Sequence, residues 1–151
     1  MLESSEPTSS NSLQLKWGEA LNEGFVAVPS ALFRHQWRLK LDNGEVIVLM
    51  NLVMSWREIG DLPFPSTSTL ARRMGVTKRT VQRHIESLED KDLIRRILGT
   101  RVGDERRVVT RYDLSGIVAQ LKLLGAIPQI DRNLKGDAGG TLAHQSLRGL
   151  I

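Results

Sequence analysis

Cysteine is absent from all 151 residues. Disulfide staples, thiolate nucleophiles and cysteine-based zinc fingers are therefore excluded, and the chain suits a reducing cytoplasmic setting. Long apolar runs are missing too. The longest, VIVLMNLVMSW from Val46 to Trp56, is well short of the roughly 20 residues that a bilayer span requires. The opening MLESSEPTSSNS has no basic start and no apolar run, so it does not read as a signal peptide. His35, His84 and His144 stand far apart with no ligand spacing, so neither a metal nor another cofactor is expected. Asp90, Asp92, Asp104 and Glu105 form no pair suited to acid–base work. No ATPase motif and no separate ligand-binding domain is visible. The expectation is a non-enzymatic chain of cytoplasmic type, with no membrane association.

The chain does carry basic charge, unevenly spread. Lys and Arg number 21 against 17 Asp and Glu, a net charge of +4. Between Arg72 and Arg111 alone, twelve basic residues face six acidic ones, so the surplus there exceeds that of the whole chain. A local positive field of this kind points to an anionic partner.

Patterning divides the chain into a polar tail over 1–12, one domain over 13–127 and a second tail over 128–151. The first tail is rich in Ser, Thr, Pro and Glu, the second contains KGDAGG, and both compositions suit disorder. Within the domain, Leu15, Trp17, Leu21, Phe25 and Val26 are candidate anchors. PSALFRHQWRLKL begins with a proline acceptable in a first helical turn and places Leu32, Phe33 and Trp37 at helical spacing. The three tryptophans, Trp17, Trp37 and Trp56, sit among apolar neighbours and read as core or interface anchors. Asp42 and Glu45 form a variant capping box before the apolar Val46–Trp56 run, which is expected at the centre of the fold.

The segment 66–90 carries the strongest signal. Ser66 can cap a short helix with Leu70, Ala71 and Met74 on one face, closed by Gly75. Thr77 can cap a second helix, in which Val81, Ile85 and Leu88 share one side and Arg79 and Arg83 the other. Two short helices and a tight turn make a helix-turn-helix. Lys78, Arg79, Gln82 and Arg83 crowd the first two turns of its second helix, where the helix dipole favours anions over cations. Stability does not explain that placement, whereas a major groove would: Arg pairs with guanine and Gln with adenine. Two β-rich runs follow, Leu93–Leu98 and Arg107–Leu114, around a tip at Gly99–Arg106. This wing, 93–114, offers Arg101, Arg106 and Arg107 to a phosphate backbone, and Arg72 and Arg73 of the first helix suit the same task. Ser115 is expected to cap a last helix burying Ile117, Val118, Leu121 and Leu124.

FPSTSTLARRMGVTKRTVQRHIESLEDKDLIRR resembles the helix-turn-helix of bacterial winged-helix DNA-binding proteins. The shared features are the Ala of the first helix, the Gly turn, the capping Thr with its cations, and the TVQRHI core spacing. RYDL resembles the second wing strand of that group, with Tyr112 and Leu114 turned inward. The lead-in VAVPSALFRHQWRLKLDNGEVIVLMNLVMSW is similar to that of helix-turn-helix proteins from plasmid or phage replication modules. The resemblance spans Phe25 to Leu114 and departs at His84, where that group has a small or apolar residue. It implies an α+β, mostly helical fold: a winged helix-turn-helix with extra N-terminal helices and a C-terminal helix. The implied function is double-stranded DNA binding by a sequence-specific transcriptional regulator through Thr77, Lys78, Arg79, Gln82, Arg83, Arg72, Arg73, Arg101, Arg106 and Arg107. The alternatives are a plasmid or phage replication initiator or accessory protein and, in another class, a winged-helix protein–protein interaction module. Apolar residues outside the winged helix, Leu15, Trp17 and Leu21 before it and Ile117, Val118, Leu121, Leu124 and Ile127 after it, suggest a homodimer.

Overall fold

The computed structural model describes residues 9–101 and 108–127. In chain order the elements are α1 (Ser9–Trp17), a 3-10 stretch (Gly18–Glu23), α2 (Ala31–Arg34), α3 (Asn43–Ser55), α4 (Thr67–Met74), α5 (Lys78–Asp90), β1 (Arg95–Arg101), β2 (Val108–Asp113) and α6 (Ser115–Gly125). The class is α+β and mostly helical, with one two-stranded antiparallel sheet among the described residues. No helix among these residues is long and apolar enough to cross a membrane.

The capping box at the start of α3 is formed. Asp42 Oδ1 accepts the Glu45 N–H at 2.7 Å, and Glu45 Oε2 accepts the Asp42 N–H at 2.8 Å. Val46, Val48, Leu49 and Leu52 are buried, while Ile47 and Met54 stay exposed. The helix is therefore central on one side only, where α4 and α5 pack against it. Around it the core gathers Leu32, Leu39 and Leu41 from before α3, Leu70 and Ala71 from α4, Val81, Ile85 and Leu88 from α5, and Tyr112, Leu114, Ile117 and Leu124 beyond.

Several expectations are corrected. The first helix starts at Ser9, inside the stretch expected as a tail, and residues 1–8 and 128–151 lie outside the described residues. The stretch after Pro29 makes a single helical turn, Ala31–Arg34, and then a series of turns ending with Lys40 at φ 54°. A helix through Trp37 would not deliver Leu39 and Leu41 to the core, where both are buried. None of the tryptophans is a core residue: Trp17, Trp37 and Trp56 are 61%, 72% and 36% exposed. Ser115 does not cap α6. It is the first helical residue, and Asp113 Oδ1 accepts its N–H at 2.9 Å. Ile117 and Leu124 of α6 are buried in their own domain, so they are not free to form a dimer surface.

The hairpin differs from expectation at its tip. β1 runs through Gly99 to Arg101, three residues into the expected turn, with a bulge between Ile97 and Thr100 that places Gly99 at φ 72°. Tyr112 and Leu114 face inward as expected, and the Tyr112 N–H bonds the buried Pro63 carbonyl at 2.9 Å. α6 is tied to the strand entrance by the Ile117 N–H, which bonds the Leu93 carbonyl at 2.7 Å. Gly116 lies so close to the Asp92 and Leu93 carbonyls that a Cβ would not fit there.

Candidate nucleic-acid interface

α4 and α5 begin in the same way. Ser66 Oγ accepts the Thr69 N–H at 3.1 Å, and Thr77 Oγ1 accepts the Thr80 N–H at 3.1 Å. In each, the capping hydroxyl also meets the hydroxyl three residues on at 2.9 Å. Gly75, at φ 65° in the left-handed region, closes α4 by bonding its N–H to the Ala71 carbonyl. These local bonds fix the turn between the helices. Burial of Val81, Ile85 and Leu88 then fixes the rotation of α5 about its axis, so the opposite face must point outward.

That face carries Lys78, Arg79, Gln82, Arg83 and Glu86, all exposed. Arg79, Gln82, Arg83 and Glu86 line one shallow concavity with Thr80. Glu86 was missed in the sequence reading. It falls four residues after Gln82 and three after Arg83, a spacing that puts it on the same face. Arg72 and Arg73 are exposed in the last turn of α4. There cations are favoured by the helix dipole, so these two have a stabilising reason to be present that Lys78 and Arg79 lack. Thr77 belongs to the framework of the site: its hydroxyl is engaged in capping.

The structure separates the basic residues of this region into two sets. Lys91 pairs with Glu45 at 2.6 Å, Arg95 with Asp113 at 3.0 Å and Arg111 with Asp61 at 2.8 Å, while Arg96 Nε donates to Glu89 at 2.7 Å. Arg111 also lies over the Phe64 ring at 5.1 Å. Burial raises the Glu89 pKa, but the Arg96 side chain and N–H outweigh it and hold the carboxyl below its usual range. The Ser115 N–H and hydroxyl lower Asp113 in the same sense. These cations are committed to holding the wing and the end of α5 in place. Arg72, Arg73, Lys78, Arg79 and Arg83 make no ion pair among the described residues. Arg101 lies in β1 opposite Val108, and Arg106 and Arg107 lie outside the described residues.

His84, the departure noted in the sequence, packs inward between α5 and the start of α3. Its side chain is 13% exposed, with Nδ1 3.7 Å from Asp42 Oδ1. Its ring lies against Gly44, where a Cβ would collide with it. The large residue is accommodated because its neighbour has no side chain.

Residues 40–94 match a family model described as a helix-turn-helix domain, an architecture of DNA-binding proteins. The chain is also similar to the N-terminal domain of DnaD protein from Geobacillus kaustophilus HTA426, seen in a crystal structure. Identity is 29%, the match covers 72% of this chain and 86% of that one, and the TM-score is 0.50. No curated protein matches the sequence.

Proposed function

We propose that this chain, which carries a winged helix-turn-helix domain, binds double-stranded DNA without catalysing a reaction on it. α5 enters the major groove, with Arg79, Gln82 and Arg83 at base edges and Glu86 within reach of cytosine N4 donors. Arg72, Arg73 and Lys78 meet phosphates and set the register. One observation carries this reading. The five cations on α4 and α5 are exposed and have no ion-pair partner among the described residues, and Lys78 and Arg79 stand in the first turn of α5, where the dipole opposes them. With Arg72, Arg73 and Lys78 on phosphates, log affinity falls against log salt with a slope of about −3. A fluorescence titration of a labelled duplex across salt concentrations checks this. A slope near zero would transfer the surface to a protein partner instead.

The proposed use of this binding is sequence-specific regulation of transcription, which needs nothing beyond the domain described. A second reading, a plasmid or phage replication initiator or accessory protein, is supported by the similarity of the lead-in segment to such modules. The likeness to the DnaD N-terminal domain is consistent with more than the helix-turn-helix being shared, since it covers 72% of the chain. Mapping bound sites in host cells separates the two: occupancy of promoters supports the first, and occupancy of a replication origin supports the second.

A further inference from the structure

Trp37 stands at the surface, not in the core, and a second basic cluster stands with it. From Phe25 to Leu41 the chain holds Arg34, Arg38 and Lys40 and no Asp or Glu. Leu32, Leu39 and Leu41 are buried and seat this stretch on the core, while Phe33, Trp37 and all three cations are exposed. Phe33 is 57% exposed. The Arg38 guanidinium lies over the Trp37 ring at 5.1 Å, where the negative face of the ring attracts it. Arg38 and Lys40 make no ion pair among the described residues. The carboxylates that follow are engaged: Asp42 caps α3, and Glu45 pairs with Lys91.

The stretch is anchored through its neighbours. Gln36 Nε2 donates to the Leu41 carbonyl at 3.4 Å and to Asn43 Oδ1 at 3.3 Å, and Lys91 Nζ donates to the Lys40 carbonyl at 2.7 Å. A large aromatic ring left in water on an anchored backbone forgoes burial, so stability does not explain Trp37. Cations beside an exposed ring suit a ligand that combines negative charge with flat apolar faces, which is the chemistry of a nucleotide strand. In a duplex the base faces are closed by their neighbours, so only an unpaired strand can offer a base to the indole. Trp and Arg also anchor protein interfaces, but a carboxylate-free stretch from Phe25 to Leu41 favours a polyanion. The cluster is distinct from the recognition face. None of its residues lines the concavity on α5, and Lys91, its contact at the end of α5, follows Arg79 by roughly 18 Å of helical rise.

We propose that Trp37, with Arg38 and Lys40, binds single-stranded DNA: a base stacks on the indole, and the two cations meet the phosphates beside it. The choice of DNA over RNA rests on the reading of α5 above. A labelled oligothymidylate of about twelve nucleotides is titrated by fluorescence anisotropy with the full chain and with Trp37→Ala, Trp37→Phe and Arg83→Ala. Each variant is first checked for unchanged circular dichroism. Trp37→Ala is expected to weaken strand binding about tenfold. Trp37→Phe, which keeps a stacking face, should cost less than about threefold. On a labelled duplex Trp37→Ala should stay within about twofold of the parent. Arg83→Ala should show the reverse pattern, so failure of this proposal and failure of the duplex reading are told apart. With Trp17 and Trp56 replaced by Phe, the remaining Trp37 emission should fall as the strand binds and hold as the duplex binds. Strand affinity left unchanged by Trp37→Ala would overturn the proposal. So would a parent protein that binds no strand, which would assign the surface to a protein partner. An oligouridylate bound about tenfold tighter than the oligothymidylate would overturn the assignment to DNA.

Discussion

Arg83 and Lys91 are both cations at the ends of long flexible stems, yet they do different work because of what lies within reach. Arg83 has no ion-pair partner among the described residues and lines the concave face of α5. Arg83→Ala should cost about 1–3 kcal/mol on the preferred duplex and flatten discrimination between duplexes. Parallel titrations on preferred and random DNA check this, and an equal loss on both would reassign Arg83 to phosphate. Lys91 instead donates to Glu45, which is 1% exposed, and to the Lys40 carbonyl. Burial pushes the Glu45 pKa up from its ordinary 4.5, but hydrogen bonds from Lys91, Ser87 and the Asp42 N–H outweigh it and hold the group lower. A carboxyl lowered in the folded state contributes stability that is fully present above its unfolded pKa and is lost as pH falls through the folded one. Lys91→Ala leaves a buried carboxylate without its counter-charge and should cost about 3 kcal/mol at pH 7. The gap from the parent should narrow as pH falls into the acid range, because without Lys91 the buried Glu45 takes up a proton more readily than the parent's lowered carboxyl does. Urea unfolding at pH 7 and pH 4 measures both.

At the scale of elements, α4, α5 and their turn were legible because each end is fixed by residues within four positions. Ser66, Gly75 and Thr77 act on their own helices, and the three-and-four spacing of Val81, Ile85 and Leu88 fixes which face is buried. The limits of α2 and of β1 were not legible, since each depends on distant residues: the one on delivering Leu39 and Leu41 to the core, the other on pairing across the hairpin. α6 offers a test of this distinction with one substitution made twice. Gly116→Ala drives a methyl into the Asp92 and Leu93 carbonyls and should destabilise by about 2 kcal/mol. Gly125→Ala in the same helix meets nothing nearby and should be neutral or stabilising by up to about 1 kcal/mol. Thermal unfolding of the two variants should move in opposite directions or, for Gly125→Ala, not at all. A matched gain in both would mean that helix propensity, not the contact with the strand entrance, governs α6.

For the whole molecule, the α1 arm is the feature the domain leaves without support. α1 packs against the 3-10 stretch that follows it, no residue of that stretch is buried, and Leu15 and Trp17 are exposed. We propose that this arm pairs two chains. One recognition helix reads few base pairs, and a two-fold dimer places two of them on half-sites one helical turn, about 34 Å, apart. Light scattering at micromolar concentration should give twice the 16.9 kDa of the chain, and Trp17→Asp should return it to the single mass. A parent protein that stays at the single mass, with one copy per duplex, would leave the dimer without support.

The sequence by itself determined what depends on near neighbours and on period. That covers the caps of α3, α4 and α5, the buried stripe of α5, the inward Tyr112 and Leu114, and the presence of cations along the outer face. Only the tertiary structure decided which of those cations are available. Lys91, Arg95, Arg96 and Arg111 count equally with Arg79 and Arg83 in a sum of charges. Folding brings Glu45, Asp113, Glu89 and Asp61 to the first four and sets neither of the others in an ion pair among the described residues. Two of those partners lie 46 and 50 positions away along the chain. Charge is a property of a residue, whereas neutralisation is a property of distance, and distances of that kind exist only once the core has formed.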